Sequence, residues 1–185
     1  MEFIEQIDQQ LFLFLNGFHS PFWDNIMYWI SYKFTWVPLY LGTLIYFIYK
    51  QKQKSIITIV LLIVTIVLAD QLSVHLFKNV FLRYRPCHNL DIQNLVHLIN
   101  NHCGGQYGFV SSHAANAFGF ATFTSLIIQK KSITYSLIFW AILVSYSRIY
   151  LGVHYPTDLF GGAMLGISTA LLTFFIFTSY QRKIK

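Results

Sequence analysis

Three short polar clusters interrupt a chain otherwise built for lipid. The first holds Lys78, Arg85 and Pro86, the second Ser111, Ser112 and His113, and the third Ser147, Arg148, His154 and Asp158. Each stands at the mouth of an apolar run. Charged groups near a bilayer are costly and mark function. Three cations gathered around an imidazole and a carboxylate make an anion site with a nucleophile in it, which is what moving a phosphoryl group requires.

The spacing says how each group is held. Lys78 and Arg85 lie seven apart, two helical turns, so both can face one way from the end of a span that Pro86 terminates. Ser111 or Ser112 sits where the next apolar run begins. A hydroxyl there caps the helix, and the first-turn N–H groups form an anion cradle with His113 beside it. Pro156 suits the first position of the last helix, which puts Asp158 in its first turn as an ionised carboxylate. That carboxylate can accept from one ring nitrogen of His154 and leave the other as an oriented nucleophile. Alone, each residue has a plainer reading: Arg148 as a snorkelling anchor, His154 as a packing histidine, Ser111 as a cap. Asp70, Gln71 and His75, upstream of Lys78, read as packing and registry rather than as a chain supporting the site. Arg83 carries the same charge as Arg85 but falls outside the spacing, so its loss is expected to matter little.

The elements that must carry these clusters are membrane spans. Of 185 residues, 55% are hydrophobic and only 11% charged, far below the roughly 25% charged of soluble domains. The expected fold is all-α: one polytopic transmembrane helical bundle, a single domain over 1–185, with spans near 34–49, 55–77, 112–128, 133–151 and 158–179. Ile4, Ile7, Leu11, Phe14 and Leu15 recur at helical spacing against Glu5, Asp8, Gln9 and Gln10. This predicts an N-terminal amphipathic helix, either lying in the interface plane or packed on the bundle, with no part in catalysis. Acidic residues in this opening stretch do not fit a cleavable signal.

Net charge +6 raises the question of nucleic acid, but the basic residues are scattered and no basic stripe with interleaved aromatics is present. Lys50, Lys52, Lys54, Lys130, Lys131, Arg182, Lys183 and Lys185 fall on one side if the spans alternate, which by the positive-inside rule is the cytoplasm. Segments 78–111 and 147–158, which hold the three clusters, then share the external side. In the loop 87–110, Cys87, His88, His97, His102 and Cys103 offer two readings, a zinc site or a disulfide between Cys87 and Cys103. An external location favours the disulfide, and closing a loop of roughly 15 residues would contribute on the order of 3 kcal/mol.

At these residues the chain resembles the type 2 phosphatidic acid phosphatase family, PAP2, whose pattern is Lys-x6-Arg-Pro, Pro-Ser-Gly-His, and Ser-Arg-x5-His-x3-Asp. KNVFLRYRP at 78–86 and SRIYLGVHYPTD at 147–158 keep the pattern in full. The middle motif departs from it as VSSH at 110–113, with Val110 for proline and Ser112 for glycine. The resemblance implies that His154 is the nucleophile, forming a phosphohistidine, with Asp158 orienting it. It implies that His113 protonates the leaving oxygen, and that Lys78, Arg85, Arg148, Ser111 and Ser112 hold the phosphoryl oxygens without a metal or cofactor. The expected substrate is a lipid phosphate at the outer face of the cell (inner) membrane. Small size favours undecaprenyl pyrophosphate over phosphatidylglycerophosphate, phosphatidic acid or lipid A. The reading in another class is a noncatalytic membrane protein, a lipid transporter or an anion-binding module, which would gain little from a paired His154 and Asp158.

Overall fold

A computed structural model describes residues 2–183. Eight α-helices account for most of them: α1 Glu2–Asn16, α2 Pro21–Ser31, α3 Val37–Gln51, α4 Ser55–Leu72, α5 Asn79–Phe81, α6 Ser112–Ile128, α7 Lys131–Tyr150 and α8 Pro156–Lys183. Among the described residues there is no strand, only an isolated antiparallel bridge between Tyr84 and Tyr107. The stretches long and apolar enough to cross a membrane are Lys33–Phe81, which carries both α3 and α4, then α7 and α8. α6, at 17 residues, is enclosed by α4, α7 and α8 and forms the centre of the bundle.

Small side chains let these helices approach. Ala114, Ala115, Ala117 and Ala121 are buried along α6, and Gly162 and Gly166 face it from α8. A Cβ on Gly162 would stand 2.5 Å from the Ser111 carbonyl oxygen, so the small-xxx-small spacing brings the two backbones together. The same contact sets the start of α8 against the start of α6, and hence the third polar cluster against the second. The Ser111 N–H donates to the backbone carbonyl of Asp158 at 2.9 Å.

Three boundaries differ from the sequence expectation. Tyr32 is extended and separates α2 from α3, and α3 begins at Val37 rather than near 34. α4 passes into a π-helical segment, Ser73–Lys78, and the helix ends at Phe81, where Leu82 adopts the left-handed conformation at φ 48°. Arg85 is therefore not two helical turns along from Lys78. It lies in an extended leg paired with 106–108, through Arg85 N–H to Gln106 O at 3.1 Å and Gly108 N–H to Arg83 O at 2.8 Å. The chain stops the helix before Pro86 requires it, and the loop rather than the helix phase aims Arg85.

The N-terminal helix is amphipathic and packs one face on the bundle. Asp8, Phe12 and Asn16, spaced by four, are buried against the bundle, while Phe3, Ile4, Ile7, Leu11 and Phe14 are exposed. The face turned to the protein is the more polar one. An outward apolar face suits lipid, and Asn16 fastens the inner face by donating to the carbonyls of Ile149 and Tyr150 at 3.0 and 2.9 Å. Lys185 lies outside the described residues.

Candidate active site

All three clusters meet at one end of the bundle, opposite the basic connectors at 50–54 and 130–131. His154 follows α7 in a tight turn and is 1% exposed. Its Nδ1 is 3.2 Å from Asp158 Oδ2, and its Nε2 is 3.2 Å from Arg85 Nη1. An arginine can only donate and a carboxylate only accept. The ring is thus neutral, with Nδ1–H donating to Asp158 and the Nε2 lone pair turned to Arg85. Burial first, then the nearby charges of Arg85, Arg148 and Lys78, hold the His154 pKa well below the usual 6.5.

Asp158 is fully buried and richly satisfied. Its Oδ2 also accepts from the Tyr155 N–H at 3.0 Å, and its Oδ1 accepts from Arg83 Nη1 at 3.0 Å. Gly108 closes over this pair. A Cβ there would meet Asp158 Oδ2 at 2.9 Å and Arg85 Cγ at 3.2 Å, so the loop can cross the site only as glycine.

The remaining groups surround the same point. Lys78 Nζ donates to Ser112 Oγ at 2.6 Å, and Ser112 Oγ lies 2.6 Å from Ser73 Oγ, on the π-helical segment. Arg85 Nη1 also donates to the Val153 carbonyl at 3.2 Å. Arg148, from the last turn of α7, reaches the Ser31 hydroxyl. Both guanidinium Nε atoms, of Arg85 and of Arg148, are buried without a hydrogen-bond partner among the described residues. Unpaired buried donors on two arginines beside an imidazole call for an acceptor-rich anion. Ser111 differs from its neighbours: it is buried, and its hydroxyl accepts from the Ala114 N–H at 3.4 Å as the cap of α6. His113 sits in the first turn of α6 and borders an apolar cavity of about 560 Å³ that runs between α3, α4, α6 and α7 to Trp140.

Two residues of the cluster were passed over by spacing arguments. Arg83 donates from Nη1 to Asp158 and Thr157 Oγ1 and from Nη2 to Asp8 Oδ2 at 2.8 Å, and it stacks over the Tyr155 ring at 4.2 Å. Asp8 additionally accepts from the Thr157 N–H at 3.1 Å and from its hydroxyl. The expectation that Arg83 stands apart from the site does not hold. A charge among the polar residues of an amphipathic helix carries no mark of its partner; the one available signal was a single acid placed four before an apolar Phe12 and eight before Asn16.

Elsewhere, Cys87 and Cys103 are joined by a disulfide with Cα atoms 5.9 Å apart. His88 lies beside it, and His97 pairs with Asp24 at 3.0 Å. Gln71 and His75 are exposed, so of Asp70, Gln71 and His75 only Asp70 turns toward the site.

The PAP2 superfamily profile matches residues 56–182. The chain belongs to that superfamily. It is 39% identical over 179 residues to a lipid A 4'-phosphatase of Bacteroides thetaiotaomicron, covering 95% of this chain and 79% of that protein. It is also 39% identical over 170 residues to one of Porphyromonas gingivalis, covering 90% and 71%. Among solved structures, Aquifex aeolicus LpxE superposes with a TM-score of 0.65 at 27% identity over 89% of this chain and 93% of that one. The fold is also that of a transmembrane PAP2-type phosphatidylglycerolphosphate phosphatase from Bacillus subtilis, with a TM-score of 0.72 at 21% identity over 100% of this chain and 89% of that one. The protein is a helical membrane PAP2 lipid phosphatase, a hydrolase of phosphoric monoesters.

Proposed function

We propose that this PAP2 protein removes a phosphate monoester from a lipid A-type glycolipid through a phosphohistidine on His154. The observation that carries the chemistry is the held imidazole, with Asp158 on Nδ1 and the Nε2 lone pair facing the cations. Nε2 attacks phosphorus, the bond from phosphorus to the leaving oxygen breaks, and His113 gives that oxygen its proton. Asp158 stabilises the charge gathered on the ring without taking its proton. Water, deprotonated by His113, then attacks the phosphohistidine; the P–N bond breaks and inorganic phosphate leaves. Lys78, Arg85, Arg148, Ser112 and the first N–H groups of α6 hold the phosphoryl oxygens, and Ser111 acts through the cap that fixes those N–H groups. Arg85 must leave Nε2 to do so, and the unpaired Nε atoms give it and Arg148 somewhere to bind.

The two relatives at 39% identity support the glycolipid substrate. The undecaprenyl pyrophosphate expected from size has support from an undecaprenyl-diphosphatase of Sulfolobus acidocaldarius, 29% identical over 160 residues. In this reading residues 1–185 form one membrane-embedded domain, and the basic connectors at its opposite end support an external site. Phosphate release by purified protein from lipid A and from undecaprenyl pyrophosphate tests the assignment. A higher kcat/KM on lipid A supports it, and a higher value on the pyrophosphate overturns it.

A further inference from the structure

The cavity bordered by His113 has apolar walls but a polar end. Asp70, on the membrane-spanning α4, and Asn116, one turn along α6 from His113, both line it. Asn116 Nδ2 donates to Asp70 Oδ1 at 3.4 Å, which fixes the amide orientation, because a carboxylate only accepts. The other amide atom, Oδ1, is buried without a partner among the described residues. The end of the cavity nearest the reaction therefore presents acceptors: a carboxylate and an unanswered amide oxygen. Apart from the Asn116 amide on Asp70, no neighbouring side-chain donor answers them among the described residues. Lys78 is engaged by Ser112, and Lys33, which also lines the cavity, has its ammonium over the Phe34 ring at 5.2 Å.

We propose that Asp70 and Asn116 form a subsite that recognises hydroxyl and amide N–H donors on the leaving group, so that a phosphorylated sugar is accepted and a pyrophosphate is disfavoured. This rests on the reading above, in which His113 serves the leaving oxygen; the leaving group then lies on the His113 side, in this cavity, away from His154. A sugar bearing hydroxyl and acylamino groups supplies the donors that two acceptors need. The leaving group of a prenyl pyrophosphate is a prenyl phosphate, whose oxygens are acceptors and whose charge opposes Asp70. A site whose buried polar groups are left unpaired by the wrong substrate discriminates more strongly than an apolar pocket does. The apolar remainder, through Leu62, Ile66, Phe120 and Trp140, takes the acyl chains.

The test compares three substrates on detergent-purified protein: lipid A, undecaprenyl pyrophosphate and p-nitrophenyl phosphate, a monoester without such donors. Asp70→Asn and Asn116→Ala should each lower kcat/KM on lipid A by about tenfold or more, leave p-nitrophenyl phosphate within about twofold, and Asp70→Asn should raise undecaprenyl pyrophosphate relative to p-nitrophenyl phosphate. A soluble, monodisperse Asp70→Asn protein that loses all three activities equally overturns the subsite, since the carboxylate would then act only through Lys78. If Asp70→Asn does not fold, Asn116→Ala decides on the same criterion. A wild-type protein that prefers undecaprenyl pyrophosphate removes the lipid A assignment alone. The subsite then stands or falls on whether Asp70→Asn raises pyrophosphate turnover relative to p-nitrophenyl phosphate.

Discussion

His154 is held at both ring nitrogens, by Asp158 and Arg85, and in the proposed mechanism it is the nucleophile. His154→Ala and His154→Gln should reduce kcat to below about one per cent of wild type while the protein stays folded, as read by phosphate release and size-exclusion chromatography. Asp158→Asn should lower kcat strongly by losing both the tautomer and the charge opposite the imidazolium. Because burial and three cations lower its pKa, the His154 ring remains neutral as pH falls through 6.5. The acid limb of kcat/KM should therefore lie below pH 6.5. The same shift has a sign in stability: between the lowered folded value and 6.5 the unfolded chain binds the extra proton, so stability is full above that window and is lost as pH falls through it. For Lys78, Arg85 and Arg148, replacement by Ala should each cost about 10²–10³ in kcat, the usual loss when a preorganised donor to developing charge is removed.

At the scale of the element, α1 does more than lie on lipid. Its Asp8 fixes Arg83, and Arg83 fixes Asp158, so a helix with an outward apolar face is fastened to the carboxylate that holds His154. A charge-assisted hydrogen bond contributes about 1.5–3 kcal/mol, so Arg83→Gln should lower kcat by about 10- to 100-fold with KM little changed. Arg83→Lys should recover only part of that, since an ammonium cannot bridge two carboxylates as a planar fork does. Asp8→Asn should fall between these two and wild type. Steady-state kinetics of the three variants check the order. An unaffected Arg83→Gln would return Arg83 to the bystander role that its position outside the motif first suggested.

For the whole molecule, the prediction is one of orientation and of charge. Single cysteines near Lys52, Lys131 and Lys183 should be shielded from an impermeant external thiol reagent, and one at Gln93 labelled, in a background with Cys87 and Cys103 replaced. The reverse pattern would move the site to the cytoplasm. Activity should survive EDTA, because in the proposed mechanism three side-chain cations take the role that a divalent ion plays in other phosphoryl transfers. Loss on chelation and recovery with zinc would direct attention to His88 and the two cysteines.

Much was determined by the sequence itself. Apolar runs near the length of a bilayer core specify helices, because a backbone in lipid must satisfy its hydrogen bonds internally, and the ordered motifs at 78–86, 110–113 and 147–158 name the groups that meet. Spacing within a helix is a local property, so the cap at Ser111 and the His154–Asp158 pair were legible. What only the tertiary structure decided is where non-helical chain goes. The π-helical segment and the early stop at Leu82 carry Arg85 into a loop, and Gly108 brings that loop onto Asp158. The partners of Asp8 and Arg83 lie 149 and 75 residues away, at Thr157 and Asp158, and Asn116 meets Asp70 across 46. No periodicity encodes such pairs. They exist because small residues let α8 and α4 close on α6, and buried polar groups then take whichever partners that closure leaves within reach.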